Sequence, residues 1–324
     1  MASTPLIRTK LHRPSVPPDA VDRGRLIELM ENSFKAPLTL VSAPAGYGKS
    51  VLAAQWAERC DTPVAWLSLD ESESDLQLFL QYFIASVHTV FPEACPSTAV
   101  LAGAPELPPV RVLAASLLNE IEAIDQPLVM VVDDFHRIDP SSAVNEFIGH
   151  LIEHPWRLAR LVIITRRDPP IRISGLLAGA KLAEVRLEDL RFNDSETAEL
   201  LAGATRTPVS EQALATLQRE VEGWAVGLRL TALALRLTEN PDKLVQGLGG
   251  GLPQIQEYLL REVLAGLPPG LREAMLRSAI LDRFCPELLE AICPPDAAEA
   301  SRGLAGHEIV DHLNAANLFT IGLD

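Results

Sequence analysis

The run Ala43-Pro44-Ala45-Gly46-Tyr47-Gly48-Lys49-Ser50 has the residue types that a phosphate-binding loop requires. Gly46 and Gly48 allow unusual φ values and a close backbone approach to a ligand. The amide N–H groups from Ala45 through Gly48, continuing into Lys49, Ser50 and Val51 at a helix start, can converge on one anion. Lys49 adds a cation for the β- and γ-phosphates of a nucleotide, and the Ser50 hydroxyl is a Mg²⁺ ligand. Ala43 stands where this motif ordinarily has its first glycine. A left-handed glycine turn that binds nothing is the plain alternative. The apolar strand before the loop and the helical pattern after it favour phosphate binding.

A nucleotide-hydrolysing site also needs a carboxylate at the end of an apolar strand beside the loop. Leu128-Val129-Met130-Val131-Val132-Asp133-Asp134 supplies it. Asp133 suits Mg²⁺, held through water, and Asp134 suits the attacking water. Alone the pair is weak, since Asp often ends strands; together with the loop it is strong. Arg166 and Arg167 follow the apolar run Leu161–Thr165, where an arginine can sense or stabilise γ-phosphate charge. Arg166 is favoured over Arg167, and a solvated arginine pair before Pro169-Pro170 is the alternative. His136 reads equally as structural or as part of the site.

These groups need a scaffold, and the apolar patterning describes one. Short apolar runs at Leu38–Val41, Val64–Leu69, Leu128–Val132, Leu161–Thr165 and Ala183–Leu187 alternate with helical segments. Continuous apolar strands of this kind predict an α/β fold, with a parallel sheet covered by helices on both faces. Leu76, Phe79, Leu80, Phe83, Ile84 and Val87 share one helix face, with Ser74 or Asp75 as its cap. Helices are expected over about Lys49–Arg59, Arg111–Ala123 and Ser141–Glu153, and a proline-rich loop over 92–110. After Leu190 strands give way to helices. Asn193 and Glu196 form a capping-box start, and helices run to about Leu237. Gln246–Pro253 reads as a linker, followed by short helices at Ile255–Leu264, Leu271–Leu281 and Pro286–Ile292, then a strand at Leu318–Leu323. The expected division is an extended arm at 1–20, a nucleotide-binding domain at 21–192, a helical domain at 193–250 and a winged-helix domain at 251–324.

Composition narrows the function. The 324 residues carry a net charge of −15, which disfavours DNA binding by this segment itself. Aromatic residues make up 5%, too few for a base-stacking surface. The four cysteines form no CxxC pair, so neither a disulfide framework nor a zinc site is expected. No apolar run reaches the roughly 18 residues of a membrane span and no signal peptide opens the chain, so a cytoplasmic location is expected.

The motifs APAGYGKSVLAAQWA, VAWLSLDESESD, LVMVVDDFHRID, LVIITRRDPP, LEDLRFNDSETAELL and EGWAVGLRL together resemble the ATP-binding module of the MalT-type regulators. These are large LuxR-family transcription activators of the STAND class of signal-transduction ATPases. The resemblance runs from about Leu6 to the last residue. It implies a nucleotide-binding α/β domain, a helical domain and a winged-helix domain. The last would end in its first wing strand near Asp324, so the chain is expected to be either a truncated piece or a natural short product. A sensor and a DNA-reading helix-turn-helix are implied outside this sequence. The resemblance implies that Lys49 and Ser50 bind phosphate and Mg²⁺, that Asp133 supports Mg²⁺, that Asp134 is the hydrolytic carboxylate and that Arg166 is the sensor. It places Val21 to Arg23 near the adenine, so that Arg23 counts among the cofactor-binding residues.

The function so implied is a switch: ATP binding and self-association, slow hydrolysis to ADP, and an inducer of unknown chemistry that biases the balance. The rivals are a P-loop kinase or an AAA+-like motor, and a scaffold that binds nucleotide with little hydrolysis. No arginine-rich lid of the kinase kind is evident, and the Asp133-Asp134 pair with Arg166 departs from the Asp-Glu and Asn of most motors. Several residues carry plainer readings. His150 and His154 read as helix-end histidines rather than metal ligands. Arg191 reads as a structural partner of Glu188 or Asp189, and Trp224 as a core anchor. Gly223 and Gly227 read as sites of close helix packing.

Overall fold

Five apolar runs pair side by side as parallel strands: β1 (Leu38–Ser42), β2 (Val64–Ser68), β3 (Leu128–Asp133), β4 (Ala159–Thr165) and β5 (Leu182–Val185), in the order β2-β3-β4-β1-β5. The computed structural model describes residues 5–33, 36–171, 182–204, 209–235, 242, 245, 264, 267–281, 284–292 and 305–315. Every residue of β1 and β3 is buried, as expected of strands covered on both faces. The helices flanking the sheet are α1 (Gly24–Ser33), α2 (Lys49–Arg59), α3 (Leu76–His88), α4 (Pro96–Ala102), α5 (Val110–Ala123) and α6 (Ala143–Glu153), with a single turn α7 (Leu187–Leu190) after β5. The α/β expectation therefore holds.

Three local expectations are corrected and one is narrowed. Residues 92–110 are not all loop, because α4 lies inside them. Pro96 sits at its first turn, where a missing N–H costs nothing, and Cys95 enters it at φ 57°. The last strand ends at Val185, because Leu187 opens α7. Asp75 rather than Ser74 caps α3, accepting from the Leu78 amide, while the Ser74 hydroxyl accepts from the Asp139 amide. The 1–20 arm is not simply extended. It makes a 3-10 turn at Arg8–Leu11, and Lys10 Nζ lies 2.6 Å from both Asp70 Oδ2 and Glu73 Oε1.

The chain divides into two units, Met1–Ala43 with Gly48–Leu190, and Pro44–Tyr47 with Arg191–Asp324. The described helices of the second are α8 (Asp194–Ala204), α9 (Glu211–Val221), α10 (Ala225–Leu235), α11 (Pro269–Ser278), α12 (Pro286–Ile292) and α13 (Gly306–Ala315). The predicted capping box is present: the Glu196 amide donates to Asn193 Oδ1, and the Asn193 amide to Glu196 Oε2. Gly223 takes φ +70° in the turn after α9, where a Cβ would fall 2.6 Å from the Phe192 carbonyl oxygen. The predicted linker at 246–253, most of the helix at 255–264 and the strand at 318–323 lie outside the described residues.

Candidate functional site

β1 runs directly into the phosphate loop. Gly46 and Gly48 both adopt left-handed backbone, at φ 82° and 79°, as their residue type predicts. Gly48 caps α2, and its carbonyl accepts from the Leu52 amide, so Lys49, Ser50 and Val51 form the first helical turn. The buried Ala43, in place of glycine, donates its amide to the Thr165 carbonyl at the end of β4.

The acidic strand β3 is not the neighbour of β1, because β4 lies between them. Asp133 nevertheless meets the loop's helix, and the Ser50 hydroxyl donates to its Oδ1 at 3.0 Å. Burial, then the neighbouring Asp134 charge, raises the Asp133 carboxyl to about 6. Asp134 takes φ 58°, and its amide folds back onto Asp133 Oδ1 at 2.9 Å. Its own carboxylate stays about half exposed.

Lys49 is buried. Desolvation, with the nearby Arg166 charge, lowers its ammonium to about 8 against the opposing pull of Asp133 and Asp134. The predicted set of Lys49, Ser50, Asp133, Asp134 and Arg166 therefore comes together in one electrostatic field. His136 joins it. Its Nδ1 lies 3.8 Å from Asp134 Oδ1, and burial with the Arg166 and Lys49 charges pushes it down to about 3, so the ring is neutral. Arg167 has another task, since its guanidinium donates to the His136 carbonyl at 3.3 Å.

Arg23 is buried, and its guanidinium donates to the Leu190 carbonyl at 2.8 Å, closing the first unit's end onto its start. Gln55 of α2 donates to the Val21 carbonyl at 3.0 Å. Arg191 takes the structural role expected, with a different partner: its guanidinium lies 3.3 Å from Glu222. The Asp189 carboxylate instead accepts from the Arg186 amide. His150 lies beside Glu146 and Glu153 on its own helix.

Two contributors escaped the sequence reading. Asp168 accepts from the Ser42 hydroxyl at 2.8 Å and from Arg186 at 2.6 Å, tying the ends of β1, β4 and β5. The RRDPP motif was the available signal for it. Trp224 is buried, as a core anchor would be, and its indole nitrogen donates to the Ala45 carbonyl at 3.1 Å. Nothing in its own neighbourhood signals a contact 179 residues away.

A nucleotide with Mg²⁺ fits this donor set. A glycine cradle at a helix start suits phosphates, and a hydroxyl paired with one carboxylate leaves Mg²⁺ the waters and phosphate oxygens it prefers. Among the described residues no group of three or more His, Cys, Asp or Glu side chains gathers as a metal site of another kind.

The comparisons agree with this geometry. Residues 22–164 match the AAA ATPase domain model, and the fold resembles a Walker-type ATPase of Pyrococcus abyssi with TM-score 0.57. That structure is 15% identical, and the match covers 94% of this chain and 92% of the other. Residues 260–324 match the MalT winged helix domain. The transcriptional regulator MalT of Yersinia enterocolitica is 31% identical over 278 residues, covering 85% of this chain and 31% of that protein. The serine/threonine-protein kinase PknK of Mycobacterium tuberculosis is 34% identical over 296 residues, covering 89% of this chain and 26% of that protein. The class is thus a P-loop ATPase with an appended winged helix. Within that class the chain belongs to the MalT-type modules. It spans between a quarter and a third of the length of these two relatives.

Proposed function

We propose that the chain is the ATP-dependent switch module of a MalT-type transcription regulator, binding ATP or ADP with Mg²⁺ and hydrolysing ATP slowly. The observation that supports it most is the Ser50–Asp133 hydrogen bond beside buried Lys49, with Asp134 and Arg166 in the same field. In this reading the amides of Ala45 through Val51 bind the phosphates and Lys49 neutralises them. Ser50 and Asp133 would hold the metal, which would supply positive charge to the phosphates. Asp134 orients the attacking water and accepts its proton, as the phosphorus–oxygen bond to ADP breaks and phosphate leaves. Arg166 stabilises charge on the transferring group, and Arg23 lies on the adenine side.

The regulatory part of the proposal is a population shift. ATP and ADP must bind two states with different affinity, and γ-phosphate contacts of Asp134 and Arg166 supply such a difference. Self-association in the ATP state, response to an inducer, and DNA reading through a domain outside this sequence belong to the same proposal, as does a cytoplasmic location. The proposed segments are the arm at 1–20, the nucleotide-binding domain at 21–192, the helical domain at 193–250 and the winged-helix domain at 251–324. Among the described residues no helix is long and apolar enough to cross a membrane.

The test is the nucleotide released on denaturing the purified chain, read by ion-exchange chromatography. ADP or ATP near one per chain is the expected result. No nucleotide, together with no binding of added ATP or ADP, overturns the proposal.

A further inference from the structure

The phosphate loop is held from behind. The Trp224 indole N–H donates to the Ala45 carbonyl at 3.1 Å, and the Val226 amide donates to the Gly46 carbonyl at 3.0 Å. All four residues belong to the second unit as the chain divides. Val226 lies in the first turn of α10, where amides have no acceptor within the helix, so the Gly46 carbonyl satisfies a donor the helix leaves open. Ala45 also packs in an apolar cluster with Leu271, Leu289, Ile309 and Leu313.

Peptide planarity turns these contacts into an orientation. In a trans peptide the C=O and the following N–H point in opposite directions, and the described chain has no cis bond. An Ala45 carbonyl held toward Trp224 therefore sends the Gly46 N–H the other way. A Gly46 carbonyl held toward Val226 does the same for the Tyr47 N–H. These two amides are among the donors a phosphate needs. The fit leaves no slack, since a Cβ on Gly46 would fall 2.6 Å from the Trp224 indole nitrogen.

We propose that Trp224 is the positioning residue of the phosphate loop: with Val226 it fixes two loop carbonyls and so presents the Gly46 and Tyr47 amides to a nucleoside di- or triphosphate. The inference rests on the nucleotide-binding reading above for its ligand, and on hydrogen bonding alone for its geometry.

Trp224→Phe keeps most of the ring and removes the indole donor. With the thermal melt unchanged within a few degrees, ADP dissociation constants from calorimetry are expected to rise about three- to tenfold, the effect of one neutral hydrogen bond. The intrinsic emission change on adding Mg-ADP is expected in the wild type and absent from the variant. Equal affinity with an equal emission change overturns the proposal. A second measurement needs neither variant nor ligand. In the nucleotide-free wild type, hydrogen exchange followed by NMR should find the Val226 amide protected, although it is a first-turn helix amide. Rapid exchange there overturns the proposal even if Trp224→Phe fails to fold. A wild-type chain that binds no nucleotide would instead overturn the functional reading, and Val226 exchange would still decide the geometry.

Discussion

Lys49 and Asp133 are opposite charges that burial disfavours equally in kind: one is lowered to about 8, the other raised to about 6. Buried charges whose titration is shifted by desolvation and by a specific charged partner mark a candidate functional site. Lys49→Ala is expected to abolish ATP binding in an equilibrium dialysis assay, and undiminished affinity would refute the loop's role. Asp134→Asn should retain ATP within a few-fold of the wild-type affinity while slowing phosphate release by about 100-fold or more, the usual scale for a lost general base. An unchanged rate would move the water-activating role to another group.

His136 gives a pH test. Its folded-state titration lies at about 3 against an ordinary 6.5, so between those values the unfolded chain binds the extra proton. Stability from this group is therefore fully present above about 6.5 and is lost as pH falls toward 3. His136→Gln should flatten the pH dependence of urea unfolding in that window, and an identical slope would show that the ring is not neutral in the folded chain.

At the scale of elements, legibility followed whether the signal is local. The strands were readable because continuous apolar runs admit few other placements, and the Asn193–Glu196 cap because its two partners lie three residues apart. α4 was not, because proline density reads as loop until Pro96 is seen at a helix start. Nearness in sequence pairs Arg191 with Glu188 or Asp189, whereas Glu222, from the turn after α9, lies beside it. The arm shows the same limit: Lys10 reaches Glu73, a fully buried carboxylate, through contacts no spacing rule describes. Removing this cation strands that charge. Lys10→Met is expected to destabilise the first unit by about 3 kcal/mol, a typical cost of breaking a buried pair, measured by denaturant melts. A loss below about 1 kcal/mol would mean that Glu73 is satisfied by its neighbouring amide and hydroxyl.

For the whole molecule, the sequence carried the class of fold but not the sheet order. Placing β4 between β1 and β3 depends on pairing across the chain, and it is what brings Arg166 beside the acidic strand. The two units have separate apolar cores, one around the sheet and one around α11–α13. A ligand that binds only the folded loop should stabilise by about 2.7 kcal/mol at a hundred times its dissociation constant. Mg-ADP is accordingly expected to raise the melting temperature of the chain in calorimetry. An unchanged melting temperature at that concentration would mean that the folded chain does not hold the nucleotide.

Residues 44–47 group with the second unit, although the chain enters them from Ala43 and leaves them at Gly48, both of the first. If nucleotide affinity depends on those four residues, thermodynamic linkage runs in both directions. Whatever stabilises the second unit in the loop-holding arrangement tightens nucleotide by some factor, and nucleotide stabilises that arrangement by the same factor. On that condition the same four residues of backbone would answer both to the nucleotide and to the packing of the second unit.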